Sequence, residues 1–264
     1  NSQLENYWNC FNSSDFLPNY RNIGIGFFNW SRRINFKTGI VFLSRESLEQ
    51  NKMGKMIALQ NLLNIKELNK SLKRFTPQEI VAWAFELNKK TLVTTNFRPY
   101  EAAILHLVIA ENPSAKVIWC DSGYNTPQTY KHAEVLIEKL NLQIEVFVPK
   151  QTVAHRNIVL GIPEVNTKEH LLFTEQVKLE PFRSAMNKHQ PEIWFTNIRK
   201  GQTAFRDRID ILSFSKDGIL KVSPFYHWSD SDLDVYLETH DLPNEFAYFD
   251  PTKVANNREC GLHI

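Results

Sequence analysis

The sequence predicts an α/β protein built on a doubly wound, mostly parallel sheet. Three observations carry this reading. Short apolar runs of strand character alternate with segments of helical period from about Phe75 onward. Several of the helical segments open on capping residues. The early strands are separated by whole helices, and parallel pairing needs crossover connections of that length.

The first element signal is TPQE, Thr76 to Glu79, a capping box with proline at the first helical position. Ile80, Trp83, Ala84 and Leu87 then recur at helical spacing. TLVTTN, Thr91 to Asn96, reads as a strand and PYEAAILHLVIAEN as a helix. KVIWC, Lys116 to Cys120, reads as a second, buried strand, and TPQTYKHAEVLIEKL starts a helix capped at Thr126. QIEVFV, Gln143 to Val148, alternates as a third strand. A helix over Pro181 to His189 and a strand EIWFTN, Glu192 to Asn197, follow. ILSFSKDGILKV predicts a hairpin turning at Asp217-Gly218, and SDSDLDVYLETH a last helix capped at Ser229. Such sheets take ligands beyond the carboxyl ends of their strands. The loops after Asn96, Cys120 and Asn197 are therefore where a site is expected.

Composition narrows the function classes. The chain of 264 residues is 42% hydrophobic and 23% charged, which suits a packed core. A net charge of +2 gives no argument for nucleic acid. No apolar run approaches the ~18 residues of a membrane helix. No secretory signal pattern opens the sequence, so a cytoplasmic setting is expected and the NSS and NWS sequons at Asn12 and Asn29 read as chance. The three cysteines, Cys10, Cys120 and Cys260, show no CxxC and no paired spacing. That argues against a disulfide scaffold, a zinc site or an iron–sulfur cluster. Residues 1–60 are Asn- and aromatic-rich and read as an extension of unassigned role, or as sequence upstream of a start at Met53 or Met56. Residues 61–250 read as the nucleotide-binding domain, and 251–264 as a mobile tail.

Four segments carry chemistry. TTNFRPYEAA, Thr94 to Ala103, joins a strand to a helix N-terminus, where free N–H groups and the helix dipole favour an anion. In CDSGYNTPQTY, Asp121 either meets a nucleotide hydroxyl or amine, or caps its own turn beside Gly123. NIRKGQTAFRDR gathers Arg199, Lys200, Arg206 and Arg208 at the ligand edge of the sheet, against the plain alternative of a solvated basic loop. KLEPFRSAM brings Lys178 and Glu180, which line the site or pair at a helix start. At the end of the sequence, Cys260 stands between Arg258 and His263, and nearby cations favour the nucleophilic thiolate. Cys120, ending a buried strand, reads as a small core residue.

In this order, these segments resemble the thioredoxin-dependent phosphoadenylyl-sulfate (PAPS) reductases. The tail motif is ECGLH, Glu259 to His263, joined by DSGYNTPQTY, KLEP and RKGQTAFR, and the likeness spans about Lys66 to Ile264. The resemblance implies an adenine nucleotide alpha hydrolase-like (Rossmann-like) fold and the reduction of PAPS to sulfite. It implies Cys260 as nucleophile, forming an S-sulfonate that thioredoxin or glutaredoxin reduces, with His263 orienting the tail or taking a proton. Thr94, Thr95, Asn96, Phe97 and Arg98 would form the nucleotide loop, with Asp121 and Ser122 at its side. Lys178, Arg199, Lys200, Gln202 and Arg206 would meet sulfate and phosphate. The reading has no bound cofactor or metal, no nucleic acid or membrane partner, and is compatible with a homodimer. Two departures stand out. Arg98 occupies a position where the family has glycine, and the stretch before the tail is short, lacking a Ser-[Ile/Val]-Gly-Asp segment. The alternatives are an adenylyl-sulfate reductase, another enzyme of the nucleotide hydrolase superfamily, or a nucleotide-binding or redox-sensing protein without turnover.

Overall fold

The computed structural model describes residues 63–252. The readings on residues 1–60 and on Cys260 and His263 lie outside the described residues. The described chain forms a six-stranded sheet in the order β3-β2-β1-β4-β6-β5. The strands are β1 (Thr91–Thr95), β2 (Lys116–Cys120), β3 (Gln143–Phe147), β4 (Ile193–Phe195), β5 (Leu212–Phe214) and β6 (Leu220–Val222). All neighbours pair in parallel except β5 and β6. The helices are α1 (Ile65–Leu72), α2 (Pro77–Glu86), α3 (Glu101–Glu111), α4 (Pro127–Lys139), α5 (Val153–Val159), α6 (Lys168–Thr174), α7 (Glu180–His189) and α8 (Asp230–Thr239). None of them is long and apolar enough to cross a membrane.

Alternation along each strand builds the two-faced core. Val93, Val117, Ile193 and Phe195 point to one face, where they meet α2, α3, α4 and α8. Leu92, Ile118 and Trp194 point to the other, where Ala185 and Met186 of α7 cover them. Helices on both faces make the sheet doubly wound, as expected. The chain reverses its winding at β1: β2 and β3 lie to one side, β4 and β6 to the other. The loops leaving β1 and β4 therefore diverge, and a crevice opens between them.

Local signals act as read. Thr76 and Glu79 close the capping box of α2 in both directions, and Thr126 caps α4. Ser229 and Asp232 form a second capping box at α8. The hairpin forms, but Ser215–Ile219 all belong to its loop, closed by Ser215 N donating to Ile219 O at 2.9 Å. Helix α1, not read from the sequence above, opens on the Asn64 cap and turns Ile65, Leu68 and Leu72 to the core. It is fastened through Asn69, whose amide donates to Leu212 O at 3.0 Å and accepts from Leu212 N at 2.8 Å. The side chain thus supplies the partner that edge strand β5 would otherwise lack.

Candidate active site

The loop from β1 to α3 is folded around a carboxylate. Glu101, the first residue of α3, is buried. It accepts hydrogen bonds from Thr95 Oγ1 at 2.9 Å, Asn96 N at 2.8 Å, Arg98 N at 3.2 Å and Arg98 Nε at 2.8 Å. Phe97 N donates to Thr95 Oγ1 at 2.9 Å. Burial pushes the Glu101 carboxyl up, but Arg98 and the N–H donors outweigh it and hold the group below its usual range. The sequence reading gave an anion the free N–H groups of this loop. Those of Asn96, Phe97 and Arg98 are already engaged, so anion contacts here fall to side chains.

Beyond β1 and β4 lies a cleft lined by Thr94, Asn96, Arg98, Lys178, Asn197 and Arg206 among others. Trp194 of β4 donates its indole N–H to Thr94 Oγ1 at 2.9 Å and fixes that hydroxyl on the cleft wall. Lys178 comes from a π-helical turn, Glu175–Leu179, inserted between α6 and α7. Arg206 opens a 3₁₀ turn, Arg206–Arg208, and its Nη1 donates to Gln202 Oε1 at 2.5 Å. The same Gln202 oxygen accepts from Arg199 N at 3.0 Å, so Gln202 braces the arginine. An adjoining recess is walled by Cys120, Ser122, Tyr248, Phe249 and Asp250, and shares Asn96 and Lys178 with the cleft.

The structure brings Thr94, Thr95, Asn96, Arg98, Lys178 and Arg206 together at the cleft and Ser122 at the recess. Other expected residues turn elsewhere. Phe97 is a core residue, its ring 4.9 Å from that of Trp119. Asp121 caps its own turn: it accepts from Gly123 N at 2.8 Å, Asn125 Nδ2 at 2.9 Å and Tyr130 Oη at 3.0 Å. Arg199 is buried, with Nη1 2.6 Å from Asp230 Oδ1 and its guanidinium 5.2 Å from the centre of the Tyr100 ring. It joins the start of α8 to the β1–α3 loop. Lys200 is exposed, and Glu180 pairs with Lys150. Cys120, read as a core residue, is only partly buried and walls the recess; its thiol is pushed up to about 12, burial outweighing the pull of Lys178.

Sequence reasoning missed Glu101, Asn197 and the segment Asn244–Thr252. The signal for Glu101 was an acid at the first position of a helix behind a ligand loop. The segment offered none, because it has no regular structure. It is tied down side chain by side chain. Asn244 Oδ1 accepts from Tyr100 N at 2.8 Å, and Ala247 O accepts from Thr126 Oγ1 at 2.5 Å. Asp250 pairs with Lys178, and Pro251 O lies 3.3 Å from His170 Nε2. The segment is thus a strap across the carboxyl edge of the sheet.

Known proteins resemble this chain in sequence and fold. Residues 90–250 match the family model described as the phosphoadenosine phosphosulfate reductase domain. The phosphoadenosine 5′-phosphosulfate reductase of Aliivibrio salmonicida is 32% identical over 187 residues, 70% of this chain and 74% of that protein. The enzyme of the same name from Xylella fastidiosa is 32% identical over 196 residues, 70% of this chain and 79% of its own. A crystal structure of the Candida auris phosphoadenylyl-sulfate reductase in a phosphate complex superposes with a TM-score of 0.59 at 22% identity, covering 78% of this chain and 91% of that one. That last likeness speaks for the fold. The family model spans every segment that lines the cleft, from β1 to Asp250, and on that match this chain belongs to the phosphoadenosine phosphosulfate reductase family.

Proposed function

We propose that this chain reduces PAPS to sulfite and adenosine 3′,5′-bisphosphate in sulfate assimilation. The observation that carries the reading is the cleft at the winding reversal, where Arg98, Lys178 and Arg206 converge in a member of this family. Phosphate and sulfate oxygens are strong acceptors, and these side chains supply charge-assisted donors. The nucleophile is Cys260. Its thiolate attacks the sulfonate sulfur and the S–O bond to the nucleotide breaks. The electron pair leaves with adenosine 3′,5′-bisphosphate, and a cysteine S-sulfonate remains. A thiolate of reduced thioredoxin then attacks the Cys260 sulfur. Sulfite departs, and the second thiol of the reductant closes its disulfide, so the two electrons come from the dithiol. His263 orients the tail or takes the proton of the thiol. No cluster takes part, since three cysteines cannot supply four thiolates. The setting is cytoplasmic.

The test is sulfite release from PAPS with reduced thioredoxin. Cys260→Ser should abolish it and leave nucleotide binding intact, while Cys120→Ser should keep most of the activity. Full activity in the Cys260 variant would overturn the mechanism.

A further inference from the structure

The strap meets the cleft at one ion pair. Lys178 Nζ pairs with Asp250 Oδ2, and each side chain is only 8% exposed. The same ammonium donates to Thr252 Oγ1 at 3.3 Å. Asp250 Oδ1 accepts from Thr252 N at 3.0 Å and Thr252 Oγ1 at 2.6 Å, which fixes the carboxylate's direction. Lys178 lines both the cleft and the recess, whereas Asp250 lines the recess alone. A carboxylate therefore sits on the cation that an anionic ligand would meet in the cleft.

Stripping one partner from a buried ion pair is strongly unfavourable, so Lys178 requires an anion whether or not substrate is present. A lysine ammonium is a point charge with three donors, and it changes acceptors with little movement. The chain arrives at Asp250 without a helix or strand to hold it; beyond the pair itself, Pro251 O accepts from His170 Nε2 and Thr252 Oγ1 from Lys178. The carboxylate can withdraw where a residue fixed in a strand could not.

We propose that Asp250 is a positioning residue that holds the ligand place on Lys178 until a phosphate or sulfate group of the substrate displaces it, and that this exchange unfastens the end of the strap. The proposal rests on the reductase reading. Its consequence lies in the tail. Cys260 follows Thr252 by eight residues. Eight extended residues reach at most about 26–29 Å. The point from which that reach is measured is the Asp250–Thr252 anchor. Substrate binding and nucleophile delivery are thereby linked through one ion pair.

Three proteins test this: the unaltered chain, Asp250→Asn and Thr252→Val. The probe is adenosine 3′,5′-bisphosphate, followed by titration calorimetry, with kcat and KM for PAPS measured alongside. Removing the competing carboxylate should tighten bisphosphate binding about tenfold, a factor worth about 1.4 kcal/mol. It should lower kcat as the tail loses its anchor. Thr252→Val, which loosens Asp250 and removes the second acceptor of Lys178 while keeping the carboxylate, should tighten binding about threefold, and it decides the matter if Asp250→Asn does not fold. A purely structural Asp250 gives unchanged or weaker binding in both variants, and that result overturns the exchange. If the unaltered chain binds the bisphosphate without reducing PAPS, the reductase reading falls and the exchange is still decided by the same comparison. If neither the unaltered chain nor the variants bind it, the exchange falls as well.

Discussion

Arg98 and Glu101 face each other across one turn, Nε to Oε1 at 2.8 Å, and the same carboxylate gathers the N–H groups of Asn96 and Arg98. The β1–α3 loop is thus closed by a side-chain pair. Glu101→Gln keeps the size of the group but removes the charge and leaves Arg98 without its carboxylate. Breaking a buried pair in this way costs about 3–5 kcal/mol, so a loss near the lower end is expected for a pair with one side at the surface. Urea unfolding measures it; a change below about 0.5 kcal/mol would show that the loop is held by other contacts.

The same pair sets an acid limit. Glu101 and Asp250 are both held below the ordinary carboxylate range; burial opposes this in each, and the cations Arg98 and Lys178 with nearby donors prevail. Their unfolded values lie near 4.3 and 3.9. Between folded and unfolded values the unfolded chain binds more protons, so stability rises with pH there. The contribution is complete above about pH 5 and is lost as pH falls through the folded values. Glu101→Gln should flatten this acid limb in urea midpoints taken across it.

Histidines act at milder pH. His106 Nδ1 lies 2.8 Å from Tyr236 Oη, and its ring centre is 4.5 Å from that of His240. Burial, then His240, lowers its pKa, and burial lowers that of His132. The unfolded chain therefore takes protons first as pH falls below about 6.5, and stability declines by at most about 1.4 kcal/mol per pH unit for each group. Thermal midpoints should drop between neutral and mildly acidic buffer. His240→Asn should shrink the drop; an unchanged slope would rule out the ring pair as its source.

Gly123 is required for two separable reasons. Its φ is +80°, and a Cβ placed there would stand 2.5 Å from Val153 Cγ2. Gly123→Ala should cost about 1–3 kcal/mol and disturb the recess through Ser122. Adding Val153→Ala should recover the steric part and leave the backbone part. Full recovery in the double variant would show that φ contributes nothing.

Substrate choice falls to the cations. PAPS carries one phosphate more than adenylyl sulfate, and a hydrogen bond to a charged group is worth roughly 1.5–3 kcal/mol, about ten- to 150-fold in affinity. The unaltered chain should prefer PAPS. Arg98→Ala should lose more kcat/KM on PAPS than on adenylyl sulfate. Equal losses would place Arg98 on the groups the two substrates share.

The sequence announced what local chemistry alone decides. Thr76, Thr126 and Ser229 cap helices because their hydroxyls accept nearby N–H groups, and that pattern is written within four residues. The alternating strands likewise gave the sheet and, through it, the edge where a site must lie. The basic run at Arg199 was a poorer guide. Whether an arginine meets substrate or Asp230 depends on how α8 packs, and α8 begins 31 residues further along. Asp121 carried two readings until Asn125 of its own loop and Tyr130 of α4 took its oxygens. The strap was invisible because the contacts that fasten it to the rest of the fold join residues far apart in the chain.

The π-helical turn that carries Lys178 bears on how such a gene can shorten. A π turn holds one residue more than an α turn, so it behaves as an insertion that the helix has absorbed. Loss of one codon there would let α6 and α7 run on as a regular helix, with better backbone hydrogen bonding. It would also rotate everything on one side by about 100° relative to the other. Pro181, Ala185 and Met186 anchor one side beneath the sheet, while Phe173 and His170 are buried on the other. Only one of those sets could keep its place. Trimming this turn would give a smoother helix and point Lys178 away from the crevice, so the length of Glu175–Leu179 is tied to the site.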